Sequence, residues 1–167
     1  MDSRPEAFGT ARRHALRHLA ALAAVAGATS LALPAAAQQA GMPQPDEKVE
    51  DTLKRLFGGR PMQPGGDRLK LEAPMIAENG AVVPIRIESD LPMTADNYVR
   101  NVYIIADKNR RPLNAKFTLT PDAGRASIAT NVRLASTSDL RVVAETSTGA
   151  LYEVKREVKV TVGGCGG

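Results

Sequence analysis

The sequence VKVTVGGCGG, residues 158–167, holds the only cysteine of the 167-residue chain. Cys165 stands between two glycine pairs, Gly163-Gly164 and Gly166-Gly167. Glycine makes up about 7% of average sequence, so four specified glycine neighbours arise by chance with a frequency on the order of 10⁻⁵. The residue types point to covalent chemistry at sulfur on a slim arm. Glycine presents no side chain to a narrow channel and reaches backbone angles closed to other residues. Three residues separate Val162 from Cys165, which carries the thiol about 10 Å beyond the last strand residue. A free thiol has a pKa of about 8.5, and no cation adjoins it in the sequence to lower that value. Activation must then come from another protein's pocket, and the pattern favours a carrier over a catalyst.

The rest of the chain offers little competing chemistry. Residues 1–37 read as an export signal: Arg12-Arg13, a mildly apolar run from Leu19 to Leu33, and an A-x-A site with cleavage expected after Ala37. The run is too short for a bilayer span of about 20 residues, so no membrane insertion is expected after signal removal. RRHALR is similar to a twin-arginine signal, with Ala15 where that pattern prefers Phe; the alternative is an ordinary Sec signal. Both histidines, His14 and His18, lie in this segment. The remaining chain therefore excludes Ser-His-Asp and Cys-His catalysis, and zinc sites of the usual His/Cys kind. No catalytic and no metal-binding residues are assigned. Four of the 22 basic and two of the 18 acidic residues precede Gln38, leaving a net charge of +2. That balance is not the basic footprint of a nucleic-acid binder. An odd cysteine in an exported protein indicates a reactive thiol or an intermolecular disulfide.

The elements that must position the thiol follow from periodicity. Residues 38–67 form a lead-in. Within it PDEKVEDTLKRLF predicts a helix, with Val49, Leu53, Leu56 and Phe57 on one face and Gly58-Gly59 and Pro61 as its stop. That face can pack on the sandwich or on a partner subunit, the partner being slightly favoured because seven strands can close a sandwich without it. From Arg68 the period becomes two. Seven strands are expected, over 69–74, 81–89, 98–107, 114–120, 126–135, 140–146 and 151–162, separated by turns such as ENG, PDAGR and STG. Pro84 argues for an edge or a bulge. In the last strand Val154, Val158, Val160 and Val162 share a face that Arg156 interrupts, and the hinge of the arm is expected at Val162-Gly163. The sum is an all-β protein: an immunoglobulin-like antiparallel β-sandwich over 68–162, a short N-terminal helix, and a flexible C-terminal arm, 163–167. Lys108, Arg110 and Arg111 make a basic turn, read as solvated rather than as an anion site.

GGCGG after VKVTV, together with PMIAENGAVVPIRI, IIADKN and TNVRLA, resembles the SoxY family, the sulfur-carrier subunits of the bacterial Sox sulfur-oxidising system. Two stretches depart from the family pattern: Ala15 in the signal, and KNRRP where KNPxP is usual. The resemblance implies a periplasmic, non-enzymatic carrier without a cofactor of its own. It implies that Cys165 is the covalent sulfur attachment point and that Gly163, Gly164, Gly166 and Gly167 form its flexible arm. The implied partners are a SoxZ-like β-sandwich subunit and three transient enzymes. These are a haem-containing protein that conjugates thiosulfate to the cysteine, a dimanganese hydrolase, and a molybdenum–haem sulfur dehydrogenase. The alternative is an exported β-sandwich interaction module that uses its lone cysteine for an intermolecular disulfide.

Overall fold

The computed structural model describes residues 45–164. The expected signal, the start of the lead-in, and Cys165, Gly166 and Gly167 lie outside the described residues.

Helix α1 spans Val49–Phe57 and ends at Gly58, whose φ of 61° places it in the left-handed region and whose N–H donates to the Lys54 carbonyl. That closure is why a glycine stands there. Glu50 and Asp51 occupy the first turn and Lys54 and Arg55 the last, each charge opposing the helix dipole at its end. Arg55 also forks onto Glu47 through Nε and a terminal nitrogen, at 2.8 and 2.9 Å.

Nine strands follow: β1 (Met62–Pro64), β2 (Leu69–Glu72), β3 (Ile76–Asn79), β4 (Val83–Ser89), β5 (Val99–Ala106), β6 (Leu113–Thr118), β7 (Ala126–Val132), β8 (Ser138–Thr146) and β9 (Leu151–Val162). They form two sheets. The larger runs β1-β9-β8-β5-β6, with β3 also paired to β9, and the smaller runs β2-β4-β7. All seven expected strands are present. β1 and β3 were not expected: β1 has only three residues, and Ile76-Ala77-Glu78-Asn79 lacks the apolar–polar alternation that marks the equally short β2. Both run parallel to β9, Met62–Pro64 against Leu151–Glu153 and Ile76–Asn79 against Lys159–Val162, so the sandwich is not wholly antiparallel. Pro84 lies in the middle strand of the smaller sheet, but β2 stops at Glu72 opposite Arg86, so β4 has only β7 beside it at Pro84. The strand is locally an edge there, which is where proline is tolerated.

The core has two storeys. Between the sheets, Leu69, Val83, Ile85 and Ile87 from the smaller sheet meet Val102, Ile104, Val142 and Val158 from the larger. On the opposite face of the larger sheet, Tyr103, Ile105, Val143 and Leu151 are covered by Phe57, with Val49, Leu53 and Leu56 around it. Phe57 meets Tyr103 edge to face, ring centroids 5.0 Å apart. Of the two packings weighed for the helix face, the less favoured is found: it is spent on the chain's own sheet and not on a partner subunit. This explains why β5 and β8 read as nearly continuous apolar runs: both of their faces are buried.

Polar groups lock the layers. Glu145, on β8, has a side chain only 5% exposed. It accepts from Asn101 Nδ2 at 2.9 Å, the Tyr103 hydroxyl at 3.0 Å, Arg60 at 2.9 Å and Arg100 at 3.1 Å. Burial alone pushes its carboxyl upward, but these donors and the arginine charges override that and hold its pKa at about 2. Burial, then the hydrogen bond to Glu145, pushes Tyr103 up to about 12. Arg141 is buried between Asp107, at 2.9 Å, and Glu153.

Candidate functional site

The candidate site is the place where β9 hands the chain on to GGCGG. β9 is the longest strand, at twelve residues. Along residues 151–158 it is laddered to β8. Beyond Val158 that partner has ended, and β3 takes over on the other side through Asn79, opposite Val162. The alternation read from the sequence holds, with Val158 fully buried and Val154 and Val160 packed on the core. Val162 is the exception: it is 63% exposed because the strand outruns the core. Arg156, exposed at the rim, donates to the Leu71 carbonyl at 3.5 Å.

Past Val162 the backbone remains engaged. The Gly80 N–H donates to the Val162 carbonyl at 2.8 Å. The Leu134 N–H donates to the Gly80 carbonyl at 2.7 Å, and the Gly164 N–H donates to the Leu134 carbonyl at 3.0 Å. Three segments far apart in sequence are thus stitched together main chain to main chain. Gly164 is buried and Gly163 exposed. A Cβ at Gly163 would stand 2.2 Å from the Ala135 carbonyl oxygen, and one at Gly164 would stand 2.8 Å from the Ala81 backbone. The hinge expected at Val162-Gly163 thus falls inside a hydrogen-bonded junction, and the contacts continue through Gly164.

The walls of this junction are themselves braced. Asn109, a buried side chain, accepts from the Ala135 N–H at 2.9 Å and donates to the Arg133 carbonyl at 2.8 Å. Thr137 accepts from the Val160 N–H at 3.0 Å. Asn79 closes the other wall by accepting from the Ala81 N–H at 2.9 Å. Val82, 58% exposed, follows that turn. None of Gly80, Asn109 or Leu134 is assigned a functional role by the sequence. The signal available for Gly80 is the Asn79-Gly80 pair, which reads as an ordinary turn.

The basic turn has a different use from the anion site weighed for it. Arg110 pairs with Asp46 at 2.7 Å, Arg111 donates to the Pro45 carbonyl at 3.5 Å, and the Glu47 N–H donates to the Arg110 carbonyl at 2.9 Å. The turn fastens the approach to α1. Among the described residues no three His, Cys, Asp or Glu side chains are grouped to hold a metal ion, and no helix is long and apolar enough to cross a membrane.

What this arrangement can do is hold residues 162–164 by their backbone, immediately ahead of the sole cysteine of the sequence. Comparison with known proteins bears on that residue. The family model described as "Sulfur oxidation protein SoxY" matches residues 53–165, a span that reaches Cys165 itself. Among solved structures, the sulfur carrier protein SoxY from Chlorobium limicola f thiosulfatophilum is 34% identical with a TM-score of 0.56, covering 69% of this chain and 97% of that one. A superoxide reductase (neelaredoxin) from Ignicoccus hospitalis is 18% identical with a TM-score of 0.50, covering 56% of this chain and 80% of that one. At that identity the likeness is one of fold alone. No curated protein sequence matches the chain.

Proposed function

Since the chain belongs to the SoxY family of sulfur oxidation proteins, we propose that it is a periplasmic carrier that binds thiosulfate-derived sulfur covalently at Cys165 and presents it to the enzymes of sulfur oxidation. The observation that carries this reading is the family match running through the sole cysteine of the chain. The loading step joins the Cys165 sulfur to the sulfane sulfur of thiosulfate. The thiol loses its proton, a sulfur–sulfur bond forms, and two electrons pass to a haem-containing partner. The product is the cysteine S-thiosulfonate. Hydrolysis by a dimanganese enzyme then adds water across the sulfane–sulfonate bond, releasing sulfate and a proton and leaving a persulfide. A sulfur dehydrogenase oxidises the remaining sulfane sulfur where that enzyme is present. A SoxZ-like β-sandwich is the standing partner.

In this scheme the carrier supplies attachment and presentation, and the redox and hydrolytic groups belong to its partners. It holds no cofactor and performs no catalysis of its own. Gly163, Gly164, Gly166 and Gly167 let the segment pass through a narrow entrance. Intact-mass measurement of the protein isolated from thiosulfate-grown cells tests the proposal. Thiosulfonate or added sulfur atoms on the peptide containing Cys165 support it. Recovery of only free thiol and disulfide-linked dimer would sink it in favour of the intermolecular-disulfide module.

A further inference from the structure

The glycines of the described chain fall into two groups by what a side chain would meet. Gly58, Gly59, Gly66, Gly124 and Gly149 have positive φ and open space around them. They are glycine because the backbone turns there. Gly65, Gly80, Gly163 and Gly164 lack positive φ, and a Cβ at any of them would collide with neighbouring atoms. They are glycine because something else occupies the space. Three of these four meet at one point. A Cβ on Gly80 would stand 2.2 Å from the Leu134 carbonyl oxygen, 2.9 Å from the Gly164 nitrogen and 2.9 Å from a Val160 methyl. Real Cβ atoms do not approach so closely, and two of these obstacles are backbone. Gly80 belongs to neither the arm nor the strand that leads to it, yet its missing side chain is what lets Gly164 reach Leu134.

We propose that Gly80 is a positioning residue for the carrier arm: it opens a slot on the chain's own surface in which Gly163-Gly164 are parked, so that Cys165 has a short-reach and a long-reach state. The inference rests on the carrier reading of Cys165 for its functional meaning, while its geometry stands on main-chain contacts alone. With Gly164 held, Cys165 is one residue from a fixed point, about 3.8 Å between Cα atoms. With the junction open, the fixed point retreats to Val162 and the reach becomes about 10 Å. An enzyme with a recessed active site binds only the released arm and draws the population toward it. The glycines before Cys165 thus serve the resting carrier as well as passage into a partner.

The test uses the full exported chain. Hydrogen exchange of the Gly164 amide in the wild-type protein comes first, and at least tenfold protection relative to an unstructured glycine is expected. Because Cys165 is the only cysteine, a nitroxide attached to it reports the arm by EPR, and a slow component is expected. In Gly80→Ala the Gly164 protection should vanish and the nitroxide spectrum should become fast and isotropic, while amides of β8 keep their protection. If Gly80→Ala does not fold, Gly164→Ala, whose new Cβ meets the Ala81 backbone at 2.8 Å, is read by the same label. An unprotected Gly164 amide in the wild type overturns the proposal, as does a Gly80→Ala protein that folds with Gly164 still protected. Neither readout depends on sulfur oxidation or on adducts formed in the cell. Parking without sulfur adducts, or adducts without parking, therefore tells failure of one reading from failure of the other.

Discussion

Asn109 and Ala135, 26 residues apart in sequence, are joined by a 2.9 Å hydrogen bond from the Ala135 amide to the Asn109 side-chain oxygen, and the same side chain donates to the Arg133 carbonyl at 2.8 Å. One buried amide thereby fixes both ends of the segment whose Leu134 and Ala135 carbonyls form the wall of the glycine junction.

Replacing that side chain should be felt in two places. Asn109→Ala removes both hydrogen bonds and leaves the part-buried Ala135 N–H and Arg133 C=O without that partner, a cost of about 1–2 kcal/mol. Urea unfolding should show this loss. Hydrogen exchange should show a larger local effect at Leu134 and Gly164 than in β5 or β8. Uniform loss across the sandwich would mean that Asn109 does not act through this segment.

Phe57→Ala should cost about 3–5 kcal/mol, since the ring is 2% exposed and meets Tyr103 edge to face. The change strips the outer storey of the core, so the protein should also bind more of a hydrophobic dye. Chemical denaturation measures the first effect. A change below about 1 kcal/mol would place α1 off the sheet in solution.

Acid should weaken the fold through Glu145. Its folded pKa is about 2 against an ordinary 4.5, so the folded state favours the ionised form. That contribution is complete above the unfolded pKa and is lost as pH falls from about 5 toward 2. The shift corresponds to on the order of 3 kcal/mol. Melting temperature in wild type should fall across that window, and Glu145→Gln should flatten the fall. Tyr103 has the opposite sense: its folded pKa of about 12 means its contribution is full below about 10 and lost as pH rises through 12.

Cys165→Ser should leave the melting temperature within about 1 °C of wild type and abolish sulfur adducts and thiosulfate oxidation in a reconstituted system. A large drop in melting temperature would instead give the cysteine a structural role.

The sequence disclosed the strands wherever period two lasted long enough to register. β4, β7 and β9 alternate over seven or more residues and were legible, as was the short but alternating β2; β1, with three residues, and β3, whose Ile76-Ala77-Glu78-Asn79 does not alternate, were not. The helix was legible, but its partner was not: the same Leu53 and Phe57 face suits a foreign subunit or the chain's own β5. Only the apolar residues on the far side of β5 and β8 decide between them. Cys165 stood out by its neighbours. Gly80 did not, because an Asn-Gly pair has a sufficient local explanation as a turn, and the oxygen that forbids a side chain there comes from Leu134, 54 residues on. Contacts of that kind depend on tertiary approach and leave no local trace.

β9 also settles how the protein bears load. Consider a pull on residue 165 directed along the strand axis. The ladders to β8, β1 and β3 lie across that direction, so their rungs resist together in shear. Among the described residues the Gly164–Leu134 bond lies nearest the point of pull and would be loaded before those ladders. Under such a pull a weak link stands ahead of a strong anchor: the tether would lengthen before the sandwich is disturbed, and the same bond could close again on release.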